Sequence, residues 1–520
     1  MGSGGNGWQG ISDLAVVLAL AVVVIAARML LLYRQGSPEP DSLAMVSGMT
    51  MALRGAIPFR DAFLYGREGS PGMYLVGLFV YPLFSRDAAQ LLPFLNGLVV
   101  LASVSMVWPA YRIARRILSP VLAALVVLIA MLAPAVWELS TYFHPEVPAV
   151  ALLVWAVWLA TPGRDGRVGT LRSALAIVAG VCALLCRFHV VFALPGLVLA
   201  ALLSPARRRH VTMLAITTLA GGLIYAAIQS AASVSESGAS GGFLGYVGMI
   251  VDMYRHGFSV AGLSRSAVWA AFGLGVATVL ALPIAAFCNR GKTGGSTRHI
   301  WIGVVWALPS LLFWLPQPTP ILRHYVLPAL GLTYALAALL SASTHARRTV
   351  IVAAAILVAN VALPEAAYRA YNATHAQTPK TPHGAPFYFH AAESRRIQRY
   401  ADAARQVMFT QARDSAAGAL IFGRWEGFAP ILFDIVRESP DLRPMSKTTF
   451  FPSVQERRYA TAAREYDFIT YVYFEDPVLQ AQARDLIRER VAAGYSVFVP
   501  RELVSGTHAL ETAGGPVIEY

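Results

Sequence analysis

The chain has 520 residues, of which 56% are hydrophobic and only 14% are charged, and its formal net charge is +13. A soluble globular protein carries about 25% charged residues, so this composition excludes a soluble enzyme and indicates a polytopic membrane protein. Basic residues are not interleaved with aromatic residues, so nucleic acid is not predicted as a partner. The positive charge instead reports topology, because Lys and Arg gather in cytoplasmic loops.

The first hydrophobic run, residues 14–33, is long enough to span a bilayer, which takes about 20 residues. It has no basic residue before it and no cleavage signal, so we predict a retained anchor. Glu39 and Asp41 follow between prolines, which makes a stiff exit from the membrane. We predict that this loop presents a carboxylate and that residues 41–53 form a short amphipathic helix on the bilayer surface. The alternative is a polar loop that only ends the first span.

Ten further apolar segments predict a total of about eleven spans. Segment 72–84 is shorter and contains Gly72, Gly77 and Pro82, so its crossing is left open. The predicted spans are residues 14–33, 88–111, 120–140, 147–160, 171–186, 190–203, 211–229, 267–287, 300–315, 326–340 and 350–363.

Five basic loops recur at every second span, namely 112–116, 164–172, 207–209, 289–298 and 345–348. All five can be cytoplasmic together, as the positive-inside rule requires. The first loop and the C-terminal tail are then external. This pattern predicts a multi-pass protein of the plasma membrane (the bacterial inner membrane) with an extracytoplasmic C-terminal domain.

The composition becomes more polar from about residue 365. Segments 419–422, 468–474 and 495–499 are typical of strands, and segments 393–415, 454–465 and 477–493 are typical of helices. This alternation predicts a small soluble α/β domain over residues 365–520, after a membrane domain over residues 1–364. No glycine-rich phosphate loop is present, so a nucleotide-hydrolysing module is excluded by motif.

Three motifs at the predicted external ends of spans carry ionisable side chains. An ionisable residue between apolar runs is a functional candidate. The alternatives are an arginine that anchors a helix end by snorkelling, and a glutamate that caps the following helix. The motifs contain His144 and Glu146, Arg187 and His189, and Arg323 and His324.

This layout resembles the GT-C superfamily of integral-membrane glycosyltransferases, similar to the protein mannosyltransferase and aminoarabinose transferase type. The likeness covers about residues 10–365. It rests on the acidic first loop, S-P-G-M-Y at 70–74, Y-F-H-P-E-V-P at 142–148 and L-R-H-Y-V-L-P-A at 322–329. The chain departs from many relatives because a proline separates Glu39 from Asp41. In addition, no Lys-Pro-Pro opens the next apolar segment.

The resemblance implies a polyprenyl-phosphate-linked sugar as donor, with the bilayer and a glycan, lipid or protein acceptor as partners. A first-loop carboxylate would be the general base, with inversion in one displacement. Asp41 is the first candidate, Glu39 the alternative, and Glu146 a further catalytic candidate. Arginine suits phosphate oxygens, so Arg323 is the leading phosphate ligand. The other implied residues are His324, Arg187 and His189 at the donor phosphate, and Arg60, Tyr65, Arg67 and His144 in the acceptor region.

No metal site and no cofactor are predicted, although the motifs leave a divalent metal open. The cysteines, Cys182, Cys186 and Cys288, lie in apolar segments and are interpreted as small buried hydrophobic residues. A transporter or a flippase for lipid-linked sugars is the alternative function. It would show inverted repeats and polar residues at mid-membrane. No repeat is visible and the acids fall at span ends, which favours the enzyme.

Overall fold

A computed structural model gives the fold of the chain as two compact units. The first unit comprises Met1–Tyr33, Phe94–Tyr225 and His256–Tyr388, and the second comprises Arg34–Pro93, Ala226–Arg255 and Phe389–Tyr520. The predicted boundary at residue 365 stays a prediction. The structure describes residues 6–34, 40–53, 71–83, 88–162, 168–233, 260–289, 296–315, 322–343, 345–375, 402, 418–423, 425–451, 454–462, 464–471, 477–499 and 517–519.

Most of the described residues are helical. The helices are α1 (Asn6–Arg34), α2 (Pro40–Leu53), α3 (Pro71–Val80), α4 (Ala88–Ser105), α5 (Val107–Ala114), α6 (Pro120–Met131), α7 (Pro134–Leu139), α8 (Glu146–Ala160), α9 (Thr170–Cys186), α10 (Leu194–Leu202), α11 (Arg207–Ser233), α12 (Val260–Leu274), α13 (Val276–Cys288), α14 (Thr297–Trp314), α15 (Val326–Ser341), α16 (Ala346–His375), α17 (Trp425–Glu438) and α18 (Pro477–Ala492). Short 3₁₀ segments cover Tyr81–Leu83, Phe188–Ala193 and Leu322–Tyr325.

The long apolar helices support a multi-pass membrane protein. Among the described residues, five segments are long and apolar enough to cross a membrane, and the bent pair Ser266–Leu274 and Val276–Cys288 is a sixth if it forms one span. The predicted total of about eleven is therefore not confirmed, because the other predicted spans are shorter or broken helices. The five segments are Asp13–Leu31, Leu91–Ala114, Arg207–Ile228, Leu322–Ser341 and Ala346–Pro364.

The predicted span 120–140 is broken between α6 and α7. Pro134 has no N–H to donate, so the helical ladder cannot continue through it. Arg28 of α1 is fully buried, and its Nη2 donates to the carbonyl oxygen of Met131 at 2.6 Å. A backbone acceptor freed by the break is thus satisfied from a neighbouring helix, as an apolar environment requires.

The predicted span 267–287 bends by 85° between α12 and α13. Gly275 lies at the bend with φ +89°, a conformation that favours glycine. Asn360 of α16 caps α13 there, because its Oδ1 accepts from the N–H groups of Ala277 at 3.1 Å and Thr278 at 3.4 Å. The cap comes from another helix, so sequence spacing near the bend does not reveal it.

Arginines gather at one end of the first unit, which we name the basic end. Their hydrogen bonds join the C-terminal ends of α5 and α8 to the N-terminal ends of α1, α9 and α11. Three predicted cytoplasmic loops therefore lie together, while their side of the membrane stays a prediction. The contacts are Arg112 to Asp13 at 3.1 Å, Arg116 to the Pro162 carbonyl at 2.5 Å, Arg172 to the Trp158 carbonyl at 2.9 Å and Arg209 to Ser173 at 2.9 Å.

In the second unit, α2 packs on α3 and α17. Tyr74 donates to the Gly48 carbonyl at 3.0 Å, and the hydroxyls of Thr50 and Tyr81 lie 3.2 Å apart. The predicted helix 41–53 is therefore present, but it lacks the exposed face of an amphipathic helix on the bilayer surface. Residues 42–51 are buried throughout, because helices cover both sides of a short apolar segment.

The second unit also holds a mixed six-stranded sheet in the order β2-β3-β4-β1-β5-β6. β1 runs parallel to β4 and β5, β6 runs parallel to β5, and β3 pairs antiparallel with β2 and β4. The strands are β1 (Gly418–Gly423), β2 (Arg443–Phe451), β3 (Val454–Ala460), β4 (Glu465–Tyr471), β5 (Tyr495–Val499) and β6 (Val517–Glu519).

The sequence located β1, β5 and α18 to within a residue at each end, and the strand predicted over 468–474 overlaps β4, which begins three residues earlier. The helix predicted over 454–465 was wrong. That segment contains β3, whose Arg458 lies opposite Asp467 of β4 and binds its carboxylate at 3.0 Å. Strand preference depends strongly on cross-strand partners, and here the partner outweighs a helix-like charge pattern. The helix predicted over 393–415 lies outside the described residues except for Asp402, which is helical.

Candidate active site

Six predicted site residues converge in the first unit. The carboxylate of Glu146 lies at the centre, and the aromatic ring of Trp314 completes the group. We name these seven residues the Glu146 cluster. They are His144, Glu146, Arg187, His189, Trp314, Arg323 and His324.

Glu146 is held at the first residue of α8, directly after a turn. The backbone N–H of Phe143 in that turn donates to Oδ1 of Asn96 on α4 at 2.7 Å. A carboxylate in the first turn of a helix is favoured by the helix dipole. The predicted capping position is thus present, and the carboxylate also has partners from outside α8.

Arg187 lies where α9 ends and a 3₁₀ segment begins. Its backbone is extended, with φ −154° and ψ 112°. Its Nε lies 3.0 Å from Oε1 of Glu146, an ion-pair distance without the alignment of a hydrogen bond. Only 17% of the Arg187 side chain and 7% of the Glu146 side chain are exposed. Each charge therefore depends on the other, because water compensates neither fully.

His144 links Glu146 to Arg323. Its Nδ1 contacts Oε2 of Glu146, and its Nε2 lies 3.4 Å from Nη1 of Arg323. A guanidinium can only donate, so the imidazole accepts at Nε2 and carries its proton at Nδ1. The result is a chain from carboxylate through imidazole to guanidinium that joins two separate sequence motifs.

Aromatic contacts fix the two remaining histidines. The ring of His324 stacks on Trp314, with centroids 3.4 Å apart and planes 9° apart, and His189 meets Trp314 edge-on at 4.7 Å. Among the described side chains, Nδ1 of His324 is a buried polar atom without a hydrogen-bond partner. Buried polar atoms in folded proteins are normally satisfied. This nitrogen is therefore suited to meet a ligand.

The cluster combines two guanidiniums and three imidazoles with one carboxylate. Arginine binds phosphate oxygens through paired N–H donors, and a low-polarity surrounding strengthens such contacts. The arrangement is therefore suited to an anionic group. No group of three or more metal-ligating side chains occurs in the part of the chain that the structure describes.

The remaining predicted site residues have no described side-chain environment. Asp41 belongs to α2 of the second unit, and only its place in the helix is described. Glu39, Arg60, Tyr65 and Arg67 lie outside the described residues, as does segment 317–320, predicted to hold Arg323 in place. The roles of all the predicted site residues stay predictions.

Two residues that position the cluster were missed by the sequence. Trp314 lies at the end of a predicted span, where tryptophan is typical of an interfacial anchor. Its position in the sequence therefore did not indicate that its ring stacks on His324. Asn96 is a polar residue inside the apolar helix α4, and that unusual placement was a usable signal.

One family matches part of the chain. Residues 76–231 match the sequence model described as "Dolichyl-phosphate-mannose-protein mannosyltransferase". The matched part includes Glu146 and Arg187 and ends before Arg323. No curated protein sequence matches the chain.

Two solved structures are similar in fold. The first is ArnT from Cupriavidus metallidurans bound to undecaprenyl phosphate, with a TM-score of 0.45 and 16% identity over 83% of this chain and 78% of that one. The second is the oligosaccharyltransferase of Archaeoglobus fulgidus in complex with Zn and sulfate, with a TM-score of 0.44 and 15% identity over 80% of this chain and 61% of that one. Over residues 76–231 the chain is similar to the protein mannosyltransferases, which confirms its predicted resemblance to the GT-C superfamily of integral-membrane glycosyltransferases.

Proposed function

We propose that the chain is an inverting glycosyltransferase that moves a sugar from a polyprenyl-phosphate donor to an acceptor at the extracytoplasmic face of the bacterial inner membrane. The family match supports sugar transfer as the reaction class. The convergence of Arg187, Arg323 and three histidines on Glu146 is the observation that carries the proposal.

The leaving group explains this set of residues. When the bond between the anomeric carbon and the phosphate oxygen breaks, negative charge develops on the lipid phosphate. Preorganised cationic donors stabilise such charge more strongly in a dry site than in water. Arg323 and Arg187 supply them, and Nδ1 of His324 is a further contact for a phosphate oxygen. Glu146 positions both arginines, since it meets Arg187 directly and Arg323 through His144.

The acceptor hydroxyl requires a different group. As its oxygen attacks the anomeric carbon, its proton must pass to a base within hydrogen-bond reach. Both carboxylate oxygens of Glu146 already face Arg187 and His144. We therefore assign the base to Asp41, with Glu39 as the alternative, and acceptor contacts to the loop with Arg60, Tyr65 and Arg67.

Binding and turnover test this division of roles. The full-length protein is reconstituted in liposomes, and its affinity for a polyprenyl phosphate is compared with that for the matching polyprenol. Arg323→Gln should weaken binding of the phosphate form by about 10-fold or more, because hydrogen bonds to charged groups contribute about 1.5–3 kcal/mol. Arg323→Lys should recover only part of this loss, because lysine has no planar fork. Arg208→Gln, an exposed arginine at the basic end, is the matched control.

Sugar transfer is measured as release of polyprenyl phosphate from a polyprenyl-phosphate sugar in membranes that hold the native acceptors. Asp41→Asn should keep phosphate binding and lower the rate by about 10²–10⁴-fold, the usual contribution of a general base. Equal binding of phosphate and alcohol would contradict the assignment of the cluster. Movement of intact donor across the bilayer without turnover would show a flippase instead.

A further inference from the structure

The first unit contains a second candidate site, a cavity of about 600 Å³ at the basic end. Its walls come from α5, α6, α8, α9, α10, α11, α14 and α15 and are mainly apolar, with side chains such as Val126, Leu153, Leu214 and Ile302. Ligand sites are typically about 300–1,000 Å³ and mostly apolar with a few polar groups. The cavity therefore has the size and the lining of a site for a molecule with a long hydrocarbon part.

Three polar side chains of the cavity lining form a connected set. Nε of Arg298 donates to Nε2 of His299 at 3.2 Å, so Nδ1 of His299 carries the proton that reaches the Tyr334 hydroxyl at 2.7 Å. The Tyr334 hydroxyl accepts this hydrogen bond and retains its own proton for donation. Arg298, His299 and Tyr334 all line the cavity. These three side chains thus present donors rather than acceptors.

Arg116 adds a second guanidinium to the cavity lining. One of its five donors binds the Pro162 carbonyl at 2.5 Å. Partial burial and the positive charges of Arg172 and Arg112 lower the pKa of Arg116. Like charges are crowded here, and an anion would relieve the repulsion.

We propose that this cavity binds an anionic phospholipid, with one acyl chain between the apolar walls and the headgroup phosphate at Arg116 and Arg298. Basic pockets between membrane helices are typical sites for anionic headgroups. A free phosphate ion would leave the apolar walls unused, whereas an acyl chain fills them.

This site is separate from the Glu146 cluster. α8 begins at Glu146 and ends at Ala160 beside the cavity, and 15 helical residues extend roughly 22 Å at 1.5 Å per residue. The lipid site therefore does not depend on the proposed glycosyl transfer, and a negative result at one site leaves the other unaffected.

Native mass spectrometry of the delipidated full-length protein tests the proposal, with phosphatidylglycerol, phosphatidylcholine and inorganic phosphate as probes. One phosphatidylglycerol should bind at least tenfold more tightly than phosphatidylcholine. The double variant Arg116→Gln, Arg298→Gln should bind both lipids equally. Each arginine should contribute about fivefold to the preference for phosphatidylglycerol. Arg208→Gln, outside the cavity, should leave it unchanged.

Filling the cavity tests the acyl chain. Ala200→Trp places an indole in the lining and should abolish lipid binding. Val198→Trp on the same helix is the control, because Val198 is 42% exposed and does not line the cavity. Equal binding of the two lipids would overturn the proposal. So would unchanged binding in Ala200→Trp, or competition by inorganic phosphate at the affinity of the lipid, which would show an ion site.

Discussion

The ion pair between Glu146 and Arg187 gives the sharpest test of the cluster. Its nitrogen and oxygen lie 3.0 Å apart, and both side chains are largely buried. Glu146→Gln keeps the shape and removes the charge, leaving a guanidinium without its carboxylate. Breaking a buried pair in this way costs about 3–5 kcal/mol, because the remaining charge is not solvated. We expect Glu146→Gln to lower the free energy of unfolding by that amount.

A double-mutant cycle separates the pair from its surroundings. Arg187→Gln alone strands Glu146, whereas the double variant strands neither charge. The two losses should therefore not add, and the coupling energy should be about 1–3 kcal/mol. Unfolding of the full-length protein in mixed micelles, followed by tryptophan fluorescence, gives the four free energies.

An exposed pair in the same chain provides the matched control. Arg488 and Asp485 lie at the same distance of 3.0 Å, but their side chains are 61% and 75% exposed. Exposed pairs couple by about 0.2–1 kcal/mol or less. If the Glu146 pair couples no more strongly than this control, the cluster is not a desolvated ion-pair network, and the argument for an anion site there is wrong.

Three further predictions concern stability. Asn360→Leu should lower the unfolding midpoint, because the cap of α13 is lost at a cost of about 1 kcal/mol, and an unchanged midpoint would contradict the interhelical cap. Gly303→Ala should reduce the yield of folded protein, because an added Cβ would lie 2.5 Å from the backbone of α15, whereas Gly97→Ala, with nothing within 4 Å, should not. Tyr495→Phe should lower stability at pH 7, and this loss should shrink as the pH falls. The tyrosine hydroxyl holds the pKa of Glu465 below its usual range, so that contribution is present above the unfolded pKa and is lost as pH falls through the folded one. A loss that does not change with pH would contradict this.

Composition and local pattern predicted the elements that need no distant partner. The first anchor and the strands β1 and β5 are mostly apolar segments with clear ends, whereas β4 begins before its predicted start because it includes the charged residues Glu465 and Asp467. The bend at Gly275 and the strand β3 were not predicted. Asn360 caps the bend from far along the chain, and Asp467 pairs with β3 from the next strand. Such partners are decided by packing, which a single segment does not encode.

Glu146, Arg187 and Arg323 fall at span ends that the alternation of basic loops assigns to one side, so the sequence predicted a shared side of the membrane for them. Their contacts with one another are seen only in the structure. The stack of His324 on Trp314 did not follow, because ring contacts depend on the rotation of α14 against the segment before α15. The carboxylate of Asp41 stays a prediction for a different reason, since its side chain lies outside the described part of the molecule.

The breaks in the helices explain why the cluster forms in an apolar environment. Glu146 is the first residue of α8, Arg187 separates α9 from a 3₁₀ segment, and Arg323 lies in a 3₁₀ segment before α15. A break frees backbone groups, which is costly where water is scarce. It also lets a side chain leave the helix surface and meet partners from other helices. The charges of Glu146 and Arg187 then hold two of these breaks together. Weakening the ion pair should therefore loosen the same backbone segments that present Arg323 and His324, so that stability and phosphate binding fall together.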